Sequence, residues 1–429
     1  MKILVIGSGG REHAIIWALQ KTSPIPVTLY CAPGNGGIGE AARTVPIAIT
    51  NQADLARFAD TEGIDLTIVG PEAPLAAGVV DYFMAKRLAI IGPSQAASRL
   101  EASKAFAKDF MVRHRIPTAR YGIAGSPSEA LKFVRSGQFG TPETPVVIKA
   151  DGLAAGKGVV VAQSRVEAER AIEDLMINQL AGAGAATRVV VEEALEGQEV
   201  SVLIFTDGES YAPMPAARDH KRIGENDTGP NTGGMGSITD ASIIDTAMLE
   251  QIIREIVEPT LAGARREGFV FRGVLFFGLM MTADGPQLLE YNVRFGDPET
   301  QAIMVRLGTD LLSVFEAIRT GKLCDIKVEW TVGSSACVVV ANRGYPEKSE
   351  TGAVIQGLGQ IDPTKVQVFH AGTSRSPDGR VIATGGRVLG LTAAAADLPA
   401  ALRLCYEAIK EIRWDGMQYR RDIGRSVIT

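Results

Sequence analysis

Residues 145–161 read PVVIKADGLAAGKGVVV, two apolar runs of β type joined by Asp151-Gly152-Leu153-Ala154-Ala155-Gly156-Lys157-Gly158. Gly152, Gly156 and Gly158 let backbone N–H groups come close to a ligand, and Lys149 and Lys157 add positive charge at either end. That combination suits a polyphosphate. It is not a P-loop, which needs four residues between its glycines, then Gly-Lys-Ser/Thr and a helix. Here Gly152 and Gly156 enclose three, Gly158 stands where a magnesium-binding hydroxyl belongs, and residues 159–161 read as strand. The loop is expected to be a hairpin tip that grips phosphate from above. An ordinary glycine-rich hairpin is the bland alternative.

A second group lies in LLEYN, residues 288–292. On a strand, residues two apart share a face, so Glu290 and Asn292 would present two oxygen ligands together while Leu289 and Tyr291 face away. Two such ligands suit magnesium, which completes its shell with phosphate oxygens and water. Arg294 falls on the same alternation and would neutralise a transferring phosphoryl group or bind a carboxylate. Gly296-Asp297-Pro298-Glu299 then turns into a helix, where Asp297 could serve simply as a cap with Pro298 in the first position. Upstream, the apolar strand 189–191 runs into Glu192, Glu193, Ala194 and Leu195, and then Glu199. Its backbone could meet an adenine edge and Glu199 the ribose hydroxyls; a solvated acidic turn is the rival reading. Asp219-His220-Lys221-Arg222 and residues 231–236, NTGGMG, form a long polar loop of mixed charge that suits a carboxylate and phosphate substrate.

A third set lies near the amino terminus. Gly7-Ser8-Gly9-Gly10-Arg11-Glu12-His13 is a first βα turn, where a phosphate can sit near a helix N-terminus. A dinucleotide fingerprint would need a glycine at Glu12 and an acid ending the second strand, where Tyr30-Cys31-Ala32 stands. A nicotinamide dehydrogenase is therefore disfavoured. The loops at Asn35-Gly36, at Pro71-Glu72 and at Gly92-Pro93-Ser94 follow further strands and would line the rim of the same cleft.

The elements that position these groups fall into three stretches. Residues 1–103 alternate strand and helix in the manner of a doubly wound, Rossmann-like α/β domain. Residues 104–327 read as α+β. Residues 328–429 read as a small, mainly β unit with a turn at Pro377-Asp378-Gly379 and a last helix near 398–412. The 429 residues, 46% hydrophobic and 22% charged, can bury ample core. A net charge of -5 argues against a general nucleic-acid or membrane-surface binder. The four cysteines and four histidines are scattered without metal or redox spacing. Met1-Lys2 leads straight into an apolar strand pattern, not a signal peptide, so a cytoplasmic location is expected.

Taken in order, the strings KILVIGSGGREHA, APGNGG, GPEAPLAAG, KADGLAAGKGVVVA, DHKR with NTGGMG, NVRFGDPETQ, VFHAGT, GGRVLG and YRRDIG span residues 2–424. Their sum resembles the ATP-grasp superfamily and, more closely, the phosphoribosylamine–glycine ligases (glycinamide ribonucleotide synthetases). Small departures are Ser98, Ala102, the segment 237–240 and Phe277; none removes a group the reaction needs. The resemblance implies a central ATP-grasp domain with a mobile lid at about residues 118–190, ATP as co-substrate, Mg2+ or Mn2+, and ligation of glycine to 5-phosphoribosylamine through glycyl phosphate in purine synthesis. By that likeness Lys104 and Lys149 bind ATP phosphates and Gly152, Gly156, Lys157 and Gly158 close over them. Glu192, Glu193, Ala194 and Leu195 hold adenine, Glu199 the ribose, and Glu290 and Asn292 the metal. Lys221, Arg294 and Asp297 are the catalytic candidates. Asp219, His220, Arg222, Gly296, Glu72, Pro71, Asn35, Gly36 and the turn from Gly9 to His13 are substrate contacts. The partners expected are small molecules, and the chain would work as a monomer, with a homodimer the alternative. The rivals are another ATP-grasp ligase with a different acceptor and a nucleotide sensor without turnover.

Overall fold

The computed structural model describes residues 1–429 except 140, 142, 143, 155–157, 181, 183, 184, 270 and 429, and of residues 426 and 428 the backbone alone. Gly156 and Lys157 therefore lie outside the described residues, as do three of the six small residues 181–186.

The first hundred residues build a five-stranded parallel sheet in the order Arg43–Thr44, Thr28–Pro33, Lys2–Gly7, Leu66–Val69, Ile90–Ile91. Ile3, Leu4, Val5 and Ile6 are all fully buried, as a parallel strand covered on both faces requires. The order reverses between Lys2–Gly7 and Leu66–Val69. Such a switch point opens a crevice at the carboxyl ends of the strands. Gly9, Gly10, Pro71 and Glu72 lie at that crevice.

The segment carrying the lysine loop is a four-stranded antiparallel sheet in the order Tyr121–Ala124, Val189–Glu193, Val146–Ala150, Val159–Ala162. Val146–Ala150 and Val159–Ala162 pair as the expected hairpin. Val146, Ile148, Val189 and Val191 turn to a core of their own, shared with the helices Pro127–Arg135 and Arg165–Ile172. By the two-residue period of a strand, Lys149 and Glu192 face the other way.

Opposite stands a large antiparallel sheet. Its main path runs Gly285–Asn292, Gly273–Thr282, Gln198–Thr206, Ala217–Asp219, Gly236–Thr239, Ser334–Asn342, Arg387–Ala395, Gln367–His370. Three strands after residue 327, Ser334–Asn342, Arg387–Ala395 and Gln367–His370, thus extend the central sheet. Gly236–Thr239 pairs directly with Ser334–Asn342. The helix Leu398–Glu411 packs on the last strands, and Thr373–Arg375 and Val381–Ala383 form the hairpin read from Pro377-Asp378-Gly379.

Two local expectations are corrected. The strand Gly285–Asn292 carries a bulge: Leu279 pairs with Leu288 and Gly278 with Glu290, leaving Leu289 unpaired. Simple alternation therefore breaks at Leu289. Leu288 and Tyr291 are the buried pair, and Leu289 joins Glu290 on the cleft side. The helix after Gly296 is Glu299–Met304, with Pro298 in the N-cap position and no side-chain cap. Asp297 is not a cap; its carboxylate is turned to other partners.

Candidate active site

The helix Lys104–Arg113 packs against the four-stranded sheet at Val189–Glu193. Ser103 caps it, its Oγ accepting from Phe106 N at 3.1 Å. Asp151, the first residue of the lysine loop, adds to the cap. Its Oδ1 accepts from Ala105 N and from Ser103 Oγ, both at 2.8 Å, while Arg188 holds Oδ2. Residues four apart share a helical face, so Lys104 and Lys108 point into the same space. Lys104 Nζ lies 3.8 Å from Glu290 Oε2. Lys108 Nζ lies 3.0 Å and Lys149 Nζ 2.9 Å from the same Oε2 of Glu192. Burial drives the Lys108 amine down to about 8; Lys149 adds to that shift and Glu192 opposes it. Lys149 also donates to the bulge carbonyl, Leu289 O, at 3.3 Å. These groups and Leu100, Met111 and Tyr291 line a small closed pocket.

Further along, Lys221 Nζ is 2.6 Å from Glu199 Oε2. Burial opposes the charge on Lys221, but Glu199, Glu290 and Asp219 hold it above the usual lysine range. Burial likewise would raise the Glu290 carboxyl, yet Lys104, Lys221, Lys149 and Arg294 together pull it down to about 2. Asn292 sits beside it, its Oδ1 accepting from Arg294 Nη2 at 3.2 Å. Among the described residues no group of three or more His, Cys, Asp and Glu is placed to hold a metal. One carboxylate and one amide oxygen fit a metal that arrives with phosphate oxygens and water, not a resident ion in a protein cage.

Arg294 is buried between Glu101 Oε1 at 2.8 Å and Glu72 Oε2 at 3.3 Å. Asp297 Oδ2 is 3.1 Å from Arg387 Nη2, and its Oδ1 accepts from Gln301 Nε2 at 2.7 Å. Burial raises the Asp297 carboxyl, but Arg387, Arg11 and Gln301 bring it below the ordinary range. Asp219 goes the other way: burial and the neighbouring Glu299 push it well up. Gly296 makes room for Glu299, whose Oε2 lies 2.5 Å from where a Cβ would stand. The amino-terminal turn closes this side of the site. A Cβ on Gly9 would be 3.3 Å from Asp297 Oδ2, and one on Gly10 2.6 Å from Gln301 Nε2.

At the switch point itself the polar side chains are already engaged. Glu12 accepts from Gly9 N at 2.6 Å and from Arg11 Nε at 2.5 Å. It fills space that only glycine at positions 7 and 70 leaves open. Arg11 Nη1 donates to Phe295 O at 3.1 Å. Asn35 donates to Ser8 O and His370 O and accepts from Gly37 N and Ile38 N. Gly36 packs on the backbone of Ser374. His13 Nδ1 accepts from His370 N at 2.9 Å, and burial lowers the ring to about 3.

Several expected contacts already have partners within the protein. Asn35 and the Nδ1 atom of His13 bond to backbone groups. His220 is internal: Nδ1 lies 3.2 Å from Gly236 O, and Nε2 accepts from Gly424 N at 3.0 Å. Arg222 donates to Gly229 O across its own small hairpin. The Glu193 carboxylate pairs with Arg120 on the lid rim. Four charged residues were missed: Glu101, Lys108, Glu299 and Arg387. Lys108 carried a usable signal, its four-residue spacing from Lys104. Arg387 lies in GGRVLG, 90 residues beyond the Asp297 carbonyl to which it donates, and only the sheet topology brings it here.

Three family profiles match in chain order: the phosphoribosylglycinamide synthetase N domain over residues 1–101, its ATP-grasp (A) domain over 102–300 and its C domain over 335–426. A phosphoribosylamine–glycine ligase of Brucella melitensis is 47% identical over 425 residues, 99% of this chain and 97% of the relative. The crystal structure of the phosphoribosylamine–glycine ligase of Thermotoga maritima superposes with a TM-score of 0.84 at 33% identity, covering 98% of this chain and all of that one. The biotin carboxylase domain of a Hydrogenobacter thermophilus 2-oxoglutarate carboxylase, solved with MgADP, shares the fold at a TM-score of 0.73 and 16% identity, over 97% of this chain and 91% of that one. With profiles matched along nearly its whole length and a relative close to half identical, the chain belongs to the phosphoribosylglycinamide synthetase family.

Proposed function

We propose that this protein ligates glycine to 5-phosphoribosylamine at the expense of ATP, giving glycinamide ribonucleotide, ADP and phosphate. One observation carries the proposal. Three lysine–carboxylate contacts, Lys149–Glu192, Lys104–Glu290 and Lys221–Glu199, line one cleft that ends at Asp297 and the Gly9–Gly10 turn. Each contact pairs a cation suited to phosphate or carboxylate with an anion suited to a base, metal or ribose. A nucleotide and its acceptors would exchange into those pairs.

A carboxylate is a poor acylating agent, because oxide would have to leave. In the proposed route a glycine carboxylate oxygen attacks the γ-phosphorus and ADP departs. The amine of phosphoribosylamine then attacks the acyl carbon, phosphate leaves, and the amine gives up a proton. The protein contributes mainly position and charge. Lys104 and Lys149 would hold the nucleotide phosphates, Glu192 and the backbone to Leu195 the adenine, and Glu199 the ribose. Glu290 and Asn292 would hold magnesium or manganese, which when bound spreads the negative charge of the phosphoryl group. Arg294, fixed by Glu72 and Glu101, would neutralise the acyl phosphate. Lys221 would take the glycine carboxylate, and Asp219 and Asp297 face the two amines. Gly9 and Gly10 would offer backbone N–H groups to the ribose phosphate. The separate apolar core of residues 118–190 supports movement of this segment as a lid that keeps water from the acyl phosphate.

The test is phosphate release by the purified protein with ATP and glycine, with and without phosphoribosylamine. Release that depends on all three, with glycinamide ribonucleotide formed in equal amount, is the expected result. Release indifferent to the amine would refute the acceptor.

A further inference from the structure

Glu192 is an unusual anion. Its side chain is 1% exposed, and both Lys108 and Lys149, 2% and 7% exposed, converge on one of its oxygens. The other oxygen, Oε1, is buried without any hydrogen-bond partner. A buried acceptor left unmade costs about 1–3 kcal/mol. The pocket's charges balance, Lys104, Lys108 and Lys149 against Glu101, Glu192 and Glu290. What is left over is the orphaned oxygen, which points to a ligand that brings one hydrogen-bond donor.

Lys149 is accounted for by the phosphates. Lys108 is not. It is held on its far side by Thr118 Oγ1 at 2.7 Å, and Thr118 in turn donates to Leu288 O at 2.6 Å. This anchor fixes Lys108 against Glu192 and keeps it away from the phosphate path.

We infer that Lys108 is a specificity-determining residue: by fixing Glu192 as an acceptor-only carboxylate, it makes the pocket accept a 6-aminopurine nucleotide and reject a 6-oxopurine one. The inference rests on the adenine placement proposed above. An ionised carboxyl has no proton to donate. The amino group of adenine can give Oε1 the hydrogen bond it lacks. The carbonyl of a 6-oxopurine would set oxygen against oxygen in a site without water. With one ammonium removed, Glu192 is no longer held in place as an acceptor-only carboxylate, so discrimination should fall. Lys108 touches the base only through Glu192 and is a positioning residue.

The experiment compares kcat/KM for ATP and for inosine triphosphate in the full chain, because these differ in the base only around the 6-position. Lys108→Met should lower the ATP-to-ITP ratio roughly tenfold or more. Lys108→Arg, which keeps the charge, should restore most of it. Should the methionine variant not fold, Lys108→Gln carries the same test, being neutral yet able to bond Glu192 and Thr118. Equal losses for both nucleotides, leaving the ratio unchanged, would mean a purely structural lysine and overturn the inference. Glu192→Gln separates the two levels. If it collapses the ratio while neutral Lys108 variants do not, the adenine placement stands and the role of Lys108 falls. If it too leaves the ratio unchanged, the adenine placement fails and the inference with it.

Discussion

The nucleotide cleft and the amino-terminal crevice hold their polar groups in opposite ways. In the cleft, functional cations rest on functional anions in pairs that a ligand could exchange. Lys221 and Glu199 are 42% and 48% exposed, and Lys104 stands 3.8 Å from Glu290. In the crevice, the side chains of Glu12, Asn35 and His13 are already engaged within the protein. Substitutions in the cleft should therefore cost activity and spare the fold. Those in the crevice should cost stability, with activity following. The contrast also separates what each region offers a ligand: side-chain charge in one, backbone N–H groups and shape in the other.

The largest expected effect is Glu290→Ala, which removes a proposed metal ligand held charged by four cations. It should lower kcat by about 10²–10³-fold, as loss of a transition-state electrostatic contact does. Retention of more than a tenth of the rate would break the contrast on the cleft side.

Next in size is acid sensitivity, in two windows. His13 and His370 are buried as neutral rings near 3 and 4 against an ordinary 6.5, and His220 near 4. Between those values the unfolded chain binds more protons. Their contribution is thus complete above pH 6.5 and lost as pH falls toward 4, at up to about 1.4 kcal/mol per ring per pH unit. Glu290, lowered from 4.5 to about 2, loses its contribution only as pH falls from 4.5 to 2. Unfolding free energy measured against pH should fall first in the histidine window. Replacing His13 by Gln should flatten the slope there. A flat profile from pH 7 to 5 would show that the seam between the amino-terminal unit and the strand Gln367–His370 is wetter than its geometry implies.

Smaller still is Asn35→Ala. It strips partners from two carbonyls and two amides, and should cost about 1–3 kcal/mol in urea unfolding. KM for phosphoribosylamine should rise more than KM for ATP. A wild-type unfolding curve with a raised KM would instead make Asn35 a ligand contact. The smallest effect is Glu193→Ala, which breaks only the rim pair with Arg120. It should change stability by less than about 1 kcal/mol and leave KM for ATP within a factor of three.

Much of this architecture was legible in residue order. The parallel amino-terminal strands announce themselves as unbroken apolar runs, and the lysine hairpin as two such runs around glycine. Glu290 and Lys149 stand out because phosphate and metal chemistry needs those types, and Lys104 through the resemblance alone; the structure brings all three to one pocket. What stayed hidden is what alternation and motif cannot carry. Leu289 is a bulge, and a bulge leaves no mark on the alternation that it interrupts. Asn35, His13 and His220 looked like ligand contacts because polar residues near glycine turns usually face outward, yet long-range backbone groups claim them. Glu101 and Arg387 act on residues 193 and 90 positions away, and no local pattern reports such a distance. The mainly β tail was visible, but its fusion to the central sheet depends on pairing between Gly236–Thr239 and Ser334–Asn342.

That fusion, and the guanidinium of Arg387 within it, has a meaning in time. A chain leaving the ribosome presents Asp297 ninety residues before Arg387 exists. Until then the carboxylate at the end of the cleft lacks its principal counter-charge, and the strand Gly236–Thr239 has an open edge awaiting Ser334–Asn342. The nucleotide pocket, by contrast, draws on nothing beyond Asn292 and can close earlier in synthesis. Nascent protein would thus be able to bind ATP before its acceptor side is assembled, and the residues from Ser334 onward act as the step that turns a nucleotide binder into a finished ligase.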